Sequence, residues 1–386
     1  MFSMSLASFV IIATLLPIVR SSKVSTIYGD IEGFVASYSV YSNTSFPFKS
    51  VSKFLGVPFA APPIGELRFK APKPLLGWKP TVLQAKTHGN LCLQTGEYDY
   101  WYEMYTQNYT YSEDCLYLDV YTPNVSLSLP VLFYIHGGAY SSGAAVTFPS
   151  DILALQGVVV VVIQYRLGPF GFLTTGDSAA SGNFGLLDQV EALKWVKENI
   201  QHFGGDPNKV TIFGESAGAA SVTLHLLSPL SEGLFQQAIA ESGVDLSSFA
   251  IQPNSLGLRF AKELAENVDC TTSDHNAMIA CMRDKKGEEI RKAAEKVKNT
   301  FIDVLIWAPV VDKVFLFDTP RNLREKGEFK KVKLMISFNS HEGGYYVGLT
   351  AKWTFGMTES LDNGVSPSFF KEFVTNVAYM YARNSK

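Results

Sequence analysis

Val210-Thr-Ile-Phe-Gly-Glu-Ser216-Ala-Gly218, followed by Ala219-Ala-Ser-Val-Thr-Leu224, decides the fold. A short β-branched run leads into Gly-x-Ser-x-Gly, and a run of small residues then suits a closely packed helix. Two flanking glycines permit a sharp strand-to-helix turn, because a Cβ at either would collide with neighbouring backbone. Such a turn lifts the Ser216 hydroxyl to the carboxyl end of a strand. It also aims the next helix's amino terminus at developing negative charge. The reading is a serine nucleophile.

Outward from this turn the pattern alternates. Upstream, Leu187 to Phe203 reads as a helix striped by Val190, Leu193, Val196, Ile200 and Phe203, and Gly204-Gly205 stops it. Val131–Ile135 and Val158–Ile163 are continuous apolar runs, suited to strands covered on both faces. Leu116–Tyr121 alternates like a half-buried strand, and Val24–Val40 reads as paired strands turning at Gly29-Asp30. The Pro-rich passage from Val57 to Gly65 reads as loop. Downstream come a helix over Ala217–Leu227, a strand at Ala238–Ala240, a polar helical region over about 255–299 and a strand at Leu334–Ser337. A last helix begins at Ser366-Pro367, striped by Phe370, Phe373, Val374, Val377 and Tyr381. Strands alternating with helices mean an α/β fold, in one domain over residues 22–386.

Composition removes other classes. The chain has 386 residues, 47% hydrophobic and 18% charged, with net charge −3. That apolar fraction excludes a disordered tail, and the missing basic excess disfavours a nucleic-acid partner. No apolar run reaches the ~18–20 residues that cross a bilayer. Leu6 to Val19 is an apolar stretch followed by Arg20-Ser21-Ser22, so residues 1–21 read as a signal peptide, a signal anchor being the alternative. Export to the extracellular space or the endoplasmic reticulum lumen follows. Sequons at Asn43, Asn108 and Asn124 fit glycosylation on that route. The four cysteines, Cys92, Cys115, Cys270 and Cys281, allow three pairings. No CxxC occurs and no histidine sits at ligand spacing beside them, so no metal is expected.

A serine hydroxyl needs a base, an acid to hold the base, and donors for an oxyanion. His136-Gly137-Gly138-Ala139 follows a buried strand, and its small residues let backbone N–H groups approach a carbonyl. His136 itself reads as a brace for that loop rather than as the base.

Several blocks in order carry a specific resemblance. Phe203-Gly-Gly-Asp-Pro-Asn-Lys-Val-Thr-Ile-Phe-Gly-Glu-Ser-Ala-Gly218 and Glu113-Asp-Cys-Leu-Tyr-Leu-Asp-Val120 resemble the two signatures of the type-B carboxylesterase/lipase family. These are the α/β-hydrolases that include cholinesterases and neuroligins. Tyr165-Arg-Leu-Gly-Pro-Phe-Gly-Phe-Leu173 and Gly182-Asn-Phe-Gly-Leu-Leu-Asp188 match further blocks. The likeness implies a mostly parallel twisted sheet with helices on both faces. It implies a secreted serine carboxylic-ester hydrolase that takes a small-molecule ester and needs no cofactor. Ser216 would be the acyl-forming nucleophile. Glu342, in Asn339-Ser-His-Glu-Gly343, would be the acid. Gly138, Ala139 and Ala217 would donate to the oxyanion, with Gly137 in the same loop and Ala139 where many members have a third glycine. The family pattern pairs Cys92 with Cys115 and Cys270 with Cys281. Context and resemblance together give two buried ion pairs, Arg68–Glu113 and Arg166–Asp188, since an unpaired charge in their apolar loops would be costly.

One departure stands out. The family's catalytic histidine lies far beyond the acid, and none of His88, His136, His202, His225, His275 and His341 occupies that context. The resemblance therefore implies a fold lacking its base, final strand and C-terminal helices. The alternative function is an inactive truncated product or a neuroligin-like adhesion ectodomain. Among substrates, a general ester is favoured over a choline ester. A choline site needs an aromatic face, best a Trp, which cholinesterases place ten residues before the second cysteine. Here that count reaches Tyr105, while the loop's Trp is Trp101.

Overall fold

The computed structural model describes residues 20–38, 46–95, 106, 108–298 and 305–342, with a few positions between 366 and 375. Residues 1–19 of the leader, Asn43, Tyr105, Trp101 and the Phe370 stripe lie outside the described residues, while the leader's last two residues, Arg20 and Ser21, are described. The strands are β1 (Arg20–Ser25), β2 (Asp30–Ser37), β3 (Ser50–Pro58), β4 (Val82–Gln84), β5 (Leu91–Cys92), β6 (Tyr111–Ser112), β7 (Tyr117–Thr122), β8 (Leu129–Ile135), β9 (Val159–Ile163), β10 (Gly205–Glu215), β11 (Gln237–Glu241) and β12 (Lys333–Ser337). The helices are α1 (Asp151–Ala154), α2 (Gly168–Phe172), α3 (Phe184–Asn199), α4 (Ala217–Leu227), α5 (Asn254–Glu266), α6 (His275–Asp284), α7 (Gly287–Ala294) and α8 (Pro320–Glu325).

One large sheet runs β1-β2-β3-β7-β9-β8-β10-β11-β12, with β4 beside β2. Its two halves differ. From β1 to β9 neighbours along this path are antiparallel, and from β9 to β12 every pair is parallel. The mostly parallel sheet that the resemblance implies describes the second half, which carries the site. β9 shows why its run is all apolar. Val159, Val161 and Ile163 enter the larger core under α3 and α4, while Val160 and Val162 enter a smaller one beside α1. Successive side chains point to opposite faces, so a strand covered on both sides has no polar position.

Several boundaries moved. Val57-Pro58 belongs to β3, paired with Leu118 and Tyr117, because a proline at a strand's last position removes no ladder bond that is needed. The helix expected from Leu187 starts at Phe184. It buries Asp188, Gln189 and Asn199 beyond the apolar stripe, since their side chains find partners inside the fold. Its continuation ends at Gly204, left-handed with φ +79°, where a Cβ would stand 2.1 Å from the Asn124 carbonyl oxygen. The polar helical region resolves into α5, α6 and α7. No described helix is long and apolar enough to cross a membrane.

The register fixes what meets at the carboxyl edge of the parallel half. Ile135 pairs with Gly214, Glu215 with Glu241, and Glu241 with Ser337. The chain segments leaving β8, β10, β11 and β12 therefore emerge side by side, carrying Gly137, Ser216, Ser242 and Glu342.

Candidate active site

Ser216 occupies the turn between β10 and α4 at φ +56° and ψ −122°, outside the ordinary regions for an L-residue. Strain of this kind, of order 1–3 kcal/mol, persists only where surroundings over-determine it. Here the surroundings are backbone. A Cβ on Gly214 would lie 2.6 Å from the Ile135 carbonyl oxygen, and one on Gly218 would lie 2.1 Å from the same atom. Ser216 N–H donates to the Glu241 carbonyl at 2.9 Å, fixing the elbow to the next strand. Both glycines are thus demanded by close approach of β8.

Residues after β8 form the second wall. A Cβ on Gly137 would stand 3.3 Å from Ser216 Cβ, so the glycine loop lies directly against Ser216. Gly138, Ala139 and Tyr140 follow at φ +104°, +54° and +56°. Ala139 thus sits in the left-handed region, where a third glycine would be free of the roughly 1–2 kcal/mol that a Cβ costs. Ala217, the other expected donor, is fully buried at the first position of α4. His136 is buried and bonds through Nδ1 to the Gly137 carbonyl at 2.8 Å, which makes Nδ1 the protonated nitrogen. Burial pushes its pKa down to about 4, so the ring is neutral. That is the bracing role read from the sequence.

Glu342 lies beyond β12. Its Oε1 accepts from the Ser242 hydroxyl, from Asn339 N–H at 2.9 Å and from Asn339 Nδ2 at 3.2 Å. The Ser242 bond, then the Asn339 backbone bond, hold this exposed carboxyl below the usual range. Glu215 carries the opposite shift. Partial burial raises it first and the Glu342 and Glu241 carboxylates add to that, although solvent reaching this exposed side chain damps the effect. Sequence reasoning passed over Ser242. Its signal was present in Glu241-Ser-Gly243, a turn closing a strand at the same sheet edge. Among the described residues, no histidine bonds to Ser216 or Glu342. His341 meets Ser340 Oγ at 2.8 Å, and the buried His225 meets Ser231 and Gln189 at 2.7 and 3.0 Å.

The supporting residues are placed as follows. Cys92 is bonded to Cys115 and Cys270 to Cys281. Arg68 donates to both Glu113 oxygens at 2.6 and 2.5 Å, and its Nη1 caps the carbonyls of Met282, Arg283 and Lys285. Arg166 donates to both Asp188 oxygens at 2.7 Å, with its own N–H adding a third bond at 3.1 Å. Asn108 and Asn124 are exposed. No group of three or more potential metal ligands occurs among the described residues.

The pattern that defines the carboxylesterase family matches residues 20–385. The chain is similar to carboxylesterase 5A of Canis lupus familiaris, 43% identical over 303 residues, covering 76% of this chain and 51% of that protein. It is similar to human cocaine esterase, 40% identical over 334 residues, covering 84% and 58%. It is also similar to mouse neuroligin-2, 38% identical over 363 residues, covering 84% and 42%. The chain thus spans about half the length of the curated relatives it matches. With a strained serine elbow, a glycine loop against it and a carboxylate at the same sheet edge, this α/β-hydrolase chain belongs to the carboxylesterase family.

Proposed function

We propose that the protein is a serine carboxylic-ester hydrolase of the secretory route, working through an acyl-enzyme. The observation that carries this reading is Ser216 at a strained elbow, packed against the Gly137–Ala139 loop. Ser216 Oγ attacks the ester carbonyl carbon while its proton passes to a base. The N–H groups of Gly138, Ala139 and Ala217 hold the oxyanion, and the intermediate collapses with loss of the alcohol. Water then repeats the attack on the acyl-serine and releases the acid. Glu342, held by Ser242 and Asn339, orients the base and offsets its positive charge. In the family that base is a histidine beyond the acid, a position that none of the six histidines of this sequence occupies. The secretory route is supported by two disulfides and by exposed sequons at Asn108 and Asn124. Residues 1–21 act as the signal peptide, whose last two residues begin β1 before cleavage, and 22–386 form the hydrolase domain.

Ser216→Ala in the natural protein is expected to remove nearly all turnover of a short-chain aryl ester. Turnover that survives the change would refute the assignment. The purified 386-residue chain is expected to hydrolyse esters orders of magnitude more slowly than an enzyme with an intact triad, since Ser216 lacks an activating histidine among the described residues. The substrate is a general ester rather than a choline ester. Acetylthiocholine compared with an uncharged thioester of equal acyl length tests this, and a cationic preference above about a hundredfold, ~2.7 kcal/mol, would reverse it. Similarity to neuroligin-2 favours a second reading, a non-catalytic adhesion ectodomain. Retention of Ser216 in its strained turn supports the hydrolase over it.

A further inference from the structure

The glycine loop is gripped by two side chains from other segments of the chain, Tyr165 and Gln94. At its entrance the Tyr165 hydroxyl donates to the His136 carbonyl at 2.8 Å. The two rings stack with centroids 4.3 Å apart and planes 20° from parallel. At its exit, Gly168 N–H donates to the Tyr140 carbonyl at 2.7 Å, so the short segment 165–168 holds both ends. Gln94 supplies a second grip. Its Nε2 donates to the Gly143 carbonyl at 2.7 Å, and its Oε1 accepts from Gly143 N–H at 3.2 Å. Gln94 is 2% exposed and Tyr165 fully buried. Each sits beside a fixed point, Tyr165 next to the Arg166–Asp188 pair and Gln94 two residues after the disulfide-bonded Cys92.

The loop needs such grips. Three consecutive residues, Gly138, Ala139 and Tyr140, have positive φ, and two of them carry a Cβ. A run like that relaxes unless neighbours hold it. Oxyanion donors, in turn, stabilise a transition state only if they are already aimed at it, with no reorganisation left to make. We propose that Tyr165 and Gln94 are positioning residues for ester hydrolysis, holding the N–H groups of Gly138 and Ala139 in donating geometry without touching substrate. The proposal rests on the hydrolase reading of Ser216.

Two variants test it, Tyr165→Phe, which deletes one hydroxyl and keeps the ring, and Gln94→Met, which keeps the shape and deletes the amide. In the natural protein each is expected to lower kcat for an aryl ester by about tenfold, less than the loss of a whole donor, with KM changed less than about twofold. In the 386-residue chain, amide hydrogen exchange over 136–143 is expected to accelerate while exchange in β9 stays at the parent rate. Unchanged kcat and unchanged loop exchange in both variants would overturn the proposal. So would equal acceleration in β9, which marks a general loss of stability. If a variant does not fold, the parent chain decides. Protection over 136–143 must then approach that of β8, and exchange as fast as at the fully exposed Leu76 would overturn the clamp. Full turnover in Ser216→Ala would remove the hydrolase reading instead, while loop exchange would still report whether the grips hold.

Discussion

Ser216 and Glu342 leave the same edge of one sheet two strands apart, and their supports are opposite in kind. β10 lies between β8 and β11 with Val210, Ile212 and Phe213 buried, and backbone contacts at Gly214 and Gly218 dictate the turn that follows. β12 pairs with β11 alone among the described residues, and all five of its positions are exposed, Met335 by 54% and Ile336 by 53%. Beyond it, Glu342 is held by polar side chains and one N–H in solvent. The geometry of Ser216 is therefore set by hard-sphere contacts that water cannot replace. The geometry of Glu342 is set by hydrogen bonds in competition with water, each worth little net when exposed. A strained conformation survives in the first setting and would relax in the second.

The largest effect is expected at the buried end. Arg166→Met leaves Asp188 as an uncompensated buried carboxylate and should cost about 3–5 kcal/mol, read as a fall in the urea midpoint. A variant as stable as the parent would mean the buried half is less tightly determined than its contacts indicate. Next comes acid sensitivity. His136 and His225 are buried neutral, their pKa values pushed down to about 4 and about 3, chiefly by burial. Below pH 6.5 the unfolded chain takes up protons that the folded chain refuses. Stability should therefore fall by about 2 kcal/mol per histidine between pH 7 and pH 5. The loss continues until pH drops through the folded values. His225→Gln should flatten part of that slope, and an unchanged slope would assign it to other groups.

Effects at the exposed end are expected to be smaller. Ser242→Ala removes the largest cause of Glu342's lowered pKa, so Glu342 should titrate higher by carbon-detected NMR, with the urea midpoint nearly unmoved. A titration identical to the parent would show that Asn339 alone holds the Glu342 carboxylate. Met335→Lys in the 386-residue chain should change stability by less than about 0.5 kcal/mol, the usual range for exposed positions away from special features. A cost above 2 kcal/mol would mean that β12 is covered, and the contrast between the two ends would fall.

How much was legible follows the same division. The elbow could be read because its demands are local: two glycines, a serine between them and a β-branched strand before them. The apolar runs of β8 and β9 could be read because a strand covered on both faces leaves no polar position. Boundaries such as Pro58 in β3 and Phe184 at the start of α3 could not, because neighbouring strands and buried partners decide them. Gln94 and Tyr165 were not legible as site residues for a related reason, and the turn at Ser242 did not disclose its partner. Gln94 grips a backbone 49 residues away, and Ser242 meets a carboxylate 100 residues away.

By itself, then, the sequence determined the α/β class, the sharp turn at Ser216 and the glycine-rich loop after β8. Short-range sterics and strand or helix periodicity act over only a few residues, so they are written in consecutive letters. The tertiary structure alone decided the register that brings Gly137, Ser216, Ser242 and Glu342 to one edge. It also decided the antiparallel character of the first half and the grips on the glycine loop. These depend on contacts between segments far apart in the chain, whose pairing energy belongs to no single stretch of sequence.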